Sequence, residues 1–384
     1  MIKILKKLEY NYTQWLSSPQ INAAGRIGLF RILYSLYCLW FYSYFQFSEM
    51  SLVPSIQWHP IRLFSWFNAP PPPYVFPILE SLLSASLILL LVGYKTRLAT
   101  VLVFLFGSSL AGIRISFFMK DHVLMITAFY VPLFMIFSLW GSTYSIDAIL
   151  KKRKGLFTPN PQDSSWKYFW TSRGLMVILA ILFFSSGFAK IIKKQWVMNP
   201  DFVGNLMVNK TVDSYLSNGF PINPLSVFIG HHRFLSVPMQ YGAIIFETLC
   251  ILIIFSAIAR TIFFYTAPFF HSFNTFFLGI PFAAVIGIYL AFPDWQVLYE
   301  RFYPKYLRFN WLNKLSSPIL IIGSIISCMV VGLTWNLTTF TRYLFSWGQL
   351  INYHTIWFIV FPVTIIWVIA SLYRYYIHSV STKH

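Results

Sequence analysis

Lys190 closes the apolar stretch Phe183-Phe184-Ser185-Ser186-Gly187-Phe188-Ala189-Lys190, where an ammonium ion is poorly solvated. A charge placed there is costly and is by default a functional hypothesis. A lysine withdrawn from water gives up its proton more readily, which is what a general base requires. Ser186 precedes it by one helical step and shares its face. Other polar residues interrupt apolar runs in the same way: Arg114, Asp121 with His122, Glu247, and His271 with Asn274 on one helix face. Together they could line one cavity. Each also has a plainer reading. Lys190 can snorkel to an interface, and Arg114 can pair with Glu247 or Asp121. Asp121 and His122 can be a helix cap and an interfacial residue, and His271 with Asn274 can be satisfied by hydrogen bonds between helices. His231, His232 and Arg233 read as a solvated turn rather than metal ligands.

The elements that must position these residues are membrane spans. The chain is 57% hydrophobic and 20% aromatic, with only 10% charged residues, far from the roughly 25% charge of soluble domains. Spans of about 20 helical residues are expected at 26–47, 74–94, 98–119, 122–140, 174–192, 237–258, 261–280, 318–335 and 355–373. A shorter segment, 281–292, is half-inserted or continues, tilted, into an amphipathic stretch. The fold class is therefore all-α: a polytopic transmembrane helix bundle of about nine to ten spans without a large soluble domain. Residues 1–24 read as a cytoplasmic amphipathic N-terminus, 25–298 as the transmembrane core, and 299–384 as a cytoplasmic linker followed by two C-terminal helices.

A net charge of +18 does not indicate nucleic acid here, because the cations cluster in loops that flank apolar spans. Lys3, Lys6, Lys7, Lys95, Arg97, the run Lys151-Lys152-Arg153-Lys154, Arg260 and Arg301 fall on one side. The positive-inside rule makes that side cytoplasmic, so both termini lie inside a cell membrane if the short segment counts as a crossing, and Lys190 faces outward. The N-terminus lacks the apolar core and cleavage site of a secretory signal. Cys38, Cys250 and Cys328 are isolated within spans and read as packing residues. The chain carries no nucleotide-binding glycine pattern, zinc helix or serine elbow, so no metal or nucleotide cofactor is expected.

Four blocks of residues together resemble the horizontally transferred transmembrane (HTTM) domain family, whose best-known members are the vitamin K-dependent gamma-carboxylases. Gly28-Leu29-Phe30-Arg31 begins the first span, and Lys120-Asp121-His122 ends in a histidine just before another. Tyr144-Ser145-Ile146-Asp147 is similar to the family's Ser-Val/Ile-Asp signature, and Ser186-Gly187-Phe188-Ala189-Lys190 with Trp196-Val197 to its Gly-x-x-Lys and Trp pattern. His271-Ser272-Phe273-Asn274 looks like a later His-x-x-Asn, and Glu247 falls where the family often has an acid. The resemblance runs from Arg26 to about Leu298.

It implies that Lys190 is a catalytic base that deprotonates a reduced quinone, with His122 stabilising charge. In the carboxylases, oxygen then makes the quinol a stronger base that removes a glutamate proton before carbon dioxide adds. His271, Asn274 and Glu247 would bind or orient the quinone. A dry, apolar pocket suits both the quinone and a carbanion. This chain departs from the carboxylases at Ala189, where they tend to carry a second lysine, and at Lys193 and Lys194, which replace more acidic neighbours. A large extramembrane domain for a protein substrate is not expected. Three readings stand open: a quinone-using membrane enzyme acting on a small or peptide substrate, a non-enzymatic membrane factor for maturation or export of a secreted peptide or toxin, and a lipid or small-molecule carrier. Membrane lipids are the partners common to all three.

Overall fold

The computed structural model describes residues 2–45, 47–118, 123–218, 222–278 and 282–296, with the single positions 280, 299 and 362. His122 with Asp121, and the expected spans at 318–335 and 355–373, lie outside the described residues. Every regular element among the described residues is helical. In chain order these are α1 (Ile2–Ser17), α2 (Ala23–Phe45), α3 (Val75–Val92), α4 (Thr96–Phe118), α5 (Val131–Met135), α6 (Ile146–Arg153) and α7 (Trp166–Ile192). They continue with α8 (Lys194–Met198), α9 (Phe202–Asn218), α10 (Pro224–His231), α11 (Arg233–Leu249), α12 (Ala257–Leu278) and α13 (Ile286–Tyr289).

Among the described residues, four helices are long and apolar enough to cross a membrane: α3, α4, α7, and α11 with its tighter last turns to Ile254. They coincide with four of the expected spans. Two more, α2 with 23 residues and α12 with 22, have the length but carry Arg26 and Arg31, or Arg260, His271 and Asn274. The expected span 122–140 contains a shorter apolar helix, Ile126–Met135, which begins with a wide π turn at Ile126–Tyr130. Pro132 explains that widening, since it has no N–H to donate and its ring crowds the carbonyl four residues back. The segment 281–292 forms a tight turn at Ala283–Val285 and the single turn of α13, far short of a crossing.

The described residues divide into two compact units. The first holds α1 up to Leu16 and the chain from Met176 to Ala283, and the second holds Ser17–Leu175 and the stretch from Ala284. In the second unit, residues from two of the family-like blocks are tied together. Arg31 is fully buried, and its guanidinium donates to Leu90 O at 2.9 Å and to Tyr144 O at 2.6 Å. Those carbonyls belong to the last turn of α3 and to the turn before α6. Gly93 ends α3 with φ 71°, a left-handed conformation that glycine adopts without a Cβ penalty. Asp147 then caps α4, accepting from Lys95 N at 2.9 Å, Thr96 N at 2.8 Å and Thr96 Oγ1 at 2.7 Å. Ser145 caps α6 by accepting from Ala148 N at 2.9 Å. Tyr144 takes φ 50°, uncommon for a residue with a side chain. Its hydroxyl donates to Gln296 Oε1 at 2.7 Å, so it is held at both its carbonyl and its ring.

In the first unit, the region between α7 and α11, expected as an external loop, is folded. Helices α8, α9 and α10 pack a small core of Val203, Met207, Ile229 and Leu278, flanked by Trp196, Phe202 and Leu235. The backbones of α9 and α10 approach most closely at Gly204 and Gly230, where either Cβ would strike the other's carbonyl. Pro224 opens α10, and Asn223 caps it by accepting from Leu225 N at 3.1 Å.

Candidate functional site

The last turns of α7 bring Lys190 against α11. Gly187 makes this possible, since a Cβ there would lie 2.6 Å from Thr248 N and 3.0 Å from Glu247 C. With the two backbones that close, the Lys190 ammonium reaches the Glu247 carboxylate in an ion pair. Their side chains are 17% and 8% exposed. The ammonium also donates to Ser186 Oγ at 2.9 Å. Its remaining side meets the Trp196 ring, 5.1 Å from the centroid, a cation–π contact. Three N–H donors thus face a carboxylate, a hydroxyl and an aromatic face. The ammonium has a carboxylate, rather than water alone, as its partner.

Gln240 sets the position of Trp196. The amide is fully buried on α11, about two helical turns before Glu247. It donates to Trp196 O at 2.7 Å and to Asn199 O at 2.9 Å, and accepts from Val203 N at 3.1 Å. Tyr241 adds a hydrogen bond to Val197 O at 2.9 Å. These bonds fix α8, and so hold the indole beside Lys190. Sequence reasoning missed Gln240, although an amide inside an apolar span was a readable signal.

His271 and Asn274 are both buried on α12, 1% and 8% exposed. His271 sits among Phe183, Phe270 and Phe282, with ring centroids 5.9, 5.5 and 5.5 Å away. Phe183 in turn packs edge-on against Phe246 and Phe263. His271 therefore meets α7 at Phe183, about 10 Å of helix axis before Lys190. Lys190, Ser186 and Glu247 come together, while His271 with Asn274 belongs to an adjoining aromatic layer. Arg114, in the other unit, lies over the rings of Phe45 and Phe118 at 4.7 and 5.0 Å. Glu247 takes Lys190 as its cation. His231 ends α10, His232 lies between the rings of Phe228 and Phe234, and Arg233 opens α11 with a two-point ion pair to Asp201.

Chemically, the arrangement is an acid–base couple set between two apolar helices at the edge of an aromatic layer. A proton can pass between Lys190 and Glu247 without crossing water, and the indole and hydroxyl keep the ammonium oriented. No family model, curated protein or solved structure matches this chain.

Proposed function

We propose that this chain is a multi-pass protein of the cell membrane, of the HTTM kind, with about nine to ten spans and both termini cytoplasmic. Within it, Lys190 and Glu247 are the proton-handling site of an enzyme that uses a reduced quinone. The observation that carries this reading is the Lys190–Glu247 pair itself. Ion pairs between apolar helices are expensive, and well-packed apolar residues would often be as stable. Charges retained at such positions mark proton and substrate paths.

The residues present fit a quinol. Lys190 and Glu247 offer a donor and an acceptor for its hydroxyls, and the mutually packed rings of Phe183, Phe246 and Phe270 offer an apolar surface. A bound quinol would supply the oxidisable ring. A proton passed from Lys190 to Glu247 as a ligand enters would leave a neutral amine and a neutral carboxylic acid with no net change in charge. The amine then has a lone pair with which to accept a hydroxyl proton. Trp196 and Ser186 hold the amine in line. On the resemblance, His122 stabilises developing charge, and His271 with Asn274 orients the ring from α12.

Purification of the full chain with native lipids, followed by mass spectrometry, tests this. Quinone should accompany the wild-type chain and be depleted in Lys190→Ala. A wild-type chain without quinone would reject the enzymatic reading. The folded α9–α10 region favours a second reading, a factor for a secreted peptide, because Leu216, Phe228 and Phe234 are exposed there at 74%, 51% and 70%. Under that reading Phe228→Ser and Phe234→Ser, rather than Lys190→Ala, abolish crosslinking to the peptide.

A further inference from the structure

A second candidate site lies in the unit built around α2–α4, remote in sequence from Lys190. Between the last turn of α3, the turn before α6 and the chain after it is a cavity of about 310 Å³. Val92, Tyr144, Ile146, Ile149, Lys152 and Pro159 are among its lining residues. Lys152 belongs to the run Lys151-Lys152-Arg153-Lys154, all exposed, at the end of α6. Among the described residues, no ion pair engages these four cations. The nearest acids in sequence are used locally: Asp147 caps α4, and Asp163 accepts from Ser165 N at 2.8 Å.

Beside these cations stand large apolar side chains without cover. Ile149, Leu156 and Phe157 are 54%, 56% and 77% exposed. Trp166 and Trp170 stack at the start of α7, a few residues on. Clustered cations interleaved with exposed aliphatic and aromatic groups at the end of membrane spans form the signature of a surface seated in lipid headgroups. Tryptophans at a span end favour the same depth. The cavity adds what a flat basic patch lacks, a mainly apolar recess with a lysine in its lining.

We infer that this cavity binds an anionic phospholipid of the adjoining leaflet, its phosphate on Lys152 and its acyl chain against Val92, Ile146 and Ile149. Lys151, Arg153 and Lys154 raise the local concentration of anionic headgroups, and Tyr144, held in place by Arg31 and Gln296, keeps the recess open.

The test is native mass spectrometry of the full-length chain exchanged into an equimolar mixture of phosphatidylglycerol and phosphatidylcholine. The wild-type chain should retain phosphatidylglycerol preferentially, and the preference should fall about fivefold for each cation neutralised. Lys152→Gln should lower it, and the fourfold Lys→Gln and Arg→Gln variant of 151–154 should abolish it. Ile149→Ser should shorten retention of phosphatidylglycerol and leave elution and thermal unfolding unchanged. Lys193→Gln with Lys194→Gln, a basic pair outside the cavity's lining, should leave the preference intact. Equal retention of the two lipids, an equal loss in the Lys193 and Lys194 variant, or full displacement by millimolar inorganic phosphate would each overturn the proposal.

Discussion

At the scale of residues, the account turns on a lysine whose partner is a carboxylate on another helix. Removing one member leaves the other charged and poorly hydrated, so Glu247→Ala should destabilise the chain by about 3 kcal/mol. Removing both, as in Lys190→Met with Glu247→Leu, should return stability to within about 1 kcal/mol of wild type. Thermal unfolding of the purified chain in detergent checks both values. A double variant as unstable as the single one would show that packing, rather than the unpaired charge, controls stability here. Lys190 was legible in the sequence because a cation in an apolar run is conspicuous. Its pairing with Glu247, 57 residues away, was not, because it depends on a backbone approach that Gly187 permits. The plainer reading of Arg114 offered Glu247 a different cation, and only the close backbone approach of two helices assigns that carboxylate to Lys190.

At the scale of elements, short polar ties hold apolar helices in place. Gln240 satisfies three backbone groups of the α8–α9 segment, so Gln240→Leu should free that segment locally while leaving α11 helical. Loss of these bonds costs about 2 kcal/mol, which corresponds to roughly thirtyfold faster amide exchange at Val203. Hydrogen exchange read by mass spectrometry decides this, and unchanged protection over 196–203 would refute the tie. Asp147→Ala should remove the cap of α4 and cost about 1 to 2 kcal/mol in global stability, again by thermal unfolding. The long spans α3, α4 and α7 were readable from uninterrupted apolar runs. Helices α9 and α10 were not, because 202–218 mixes polar and apolar residues and looks like a loop until its apolar side meets α12. The Arg31 and Tyr144–Asp147 blocks, first met as family-like motifs, turn out to be structural ties in the described fold.

At the scale of the whole molecule, the proposed arrangement has its basic loops on one side of the membrane and the end of α7 on the other. Single cysteines introduced at Lys6, Lys154 and Lys383 should therefore label from the cytoplasmic side in intact cells, and one at Lys210 from outside. Outside labelling of position 154 would invert the topology. The proposed activity then reduces to whether the buried couple serves a ligand or only joins two helices. Quinone bound per mole of chain, measured side by side in the wild type and in the stable Lys190→Met with Glu247→Leu variant, separates these directly. Quinone should accompany the wild type and be lost from the double variant at unchanged thermal stability; equal quinone in both would show that the couple only joins two helices.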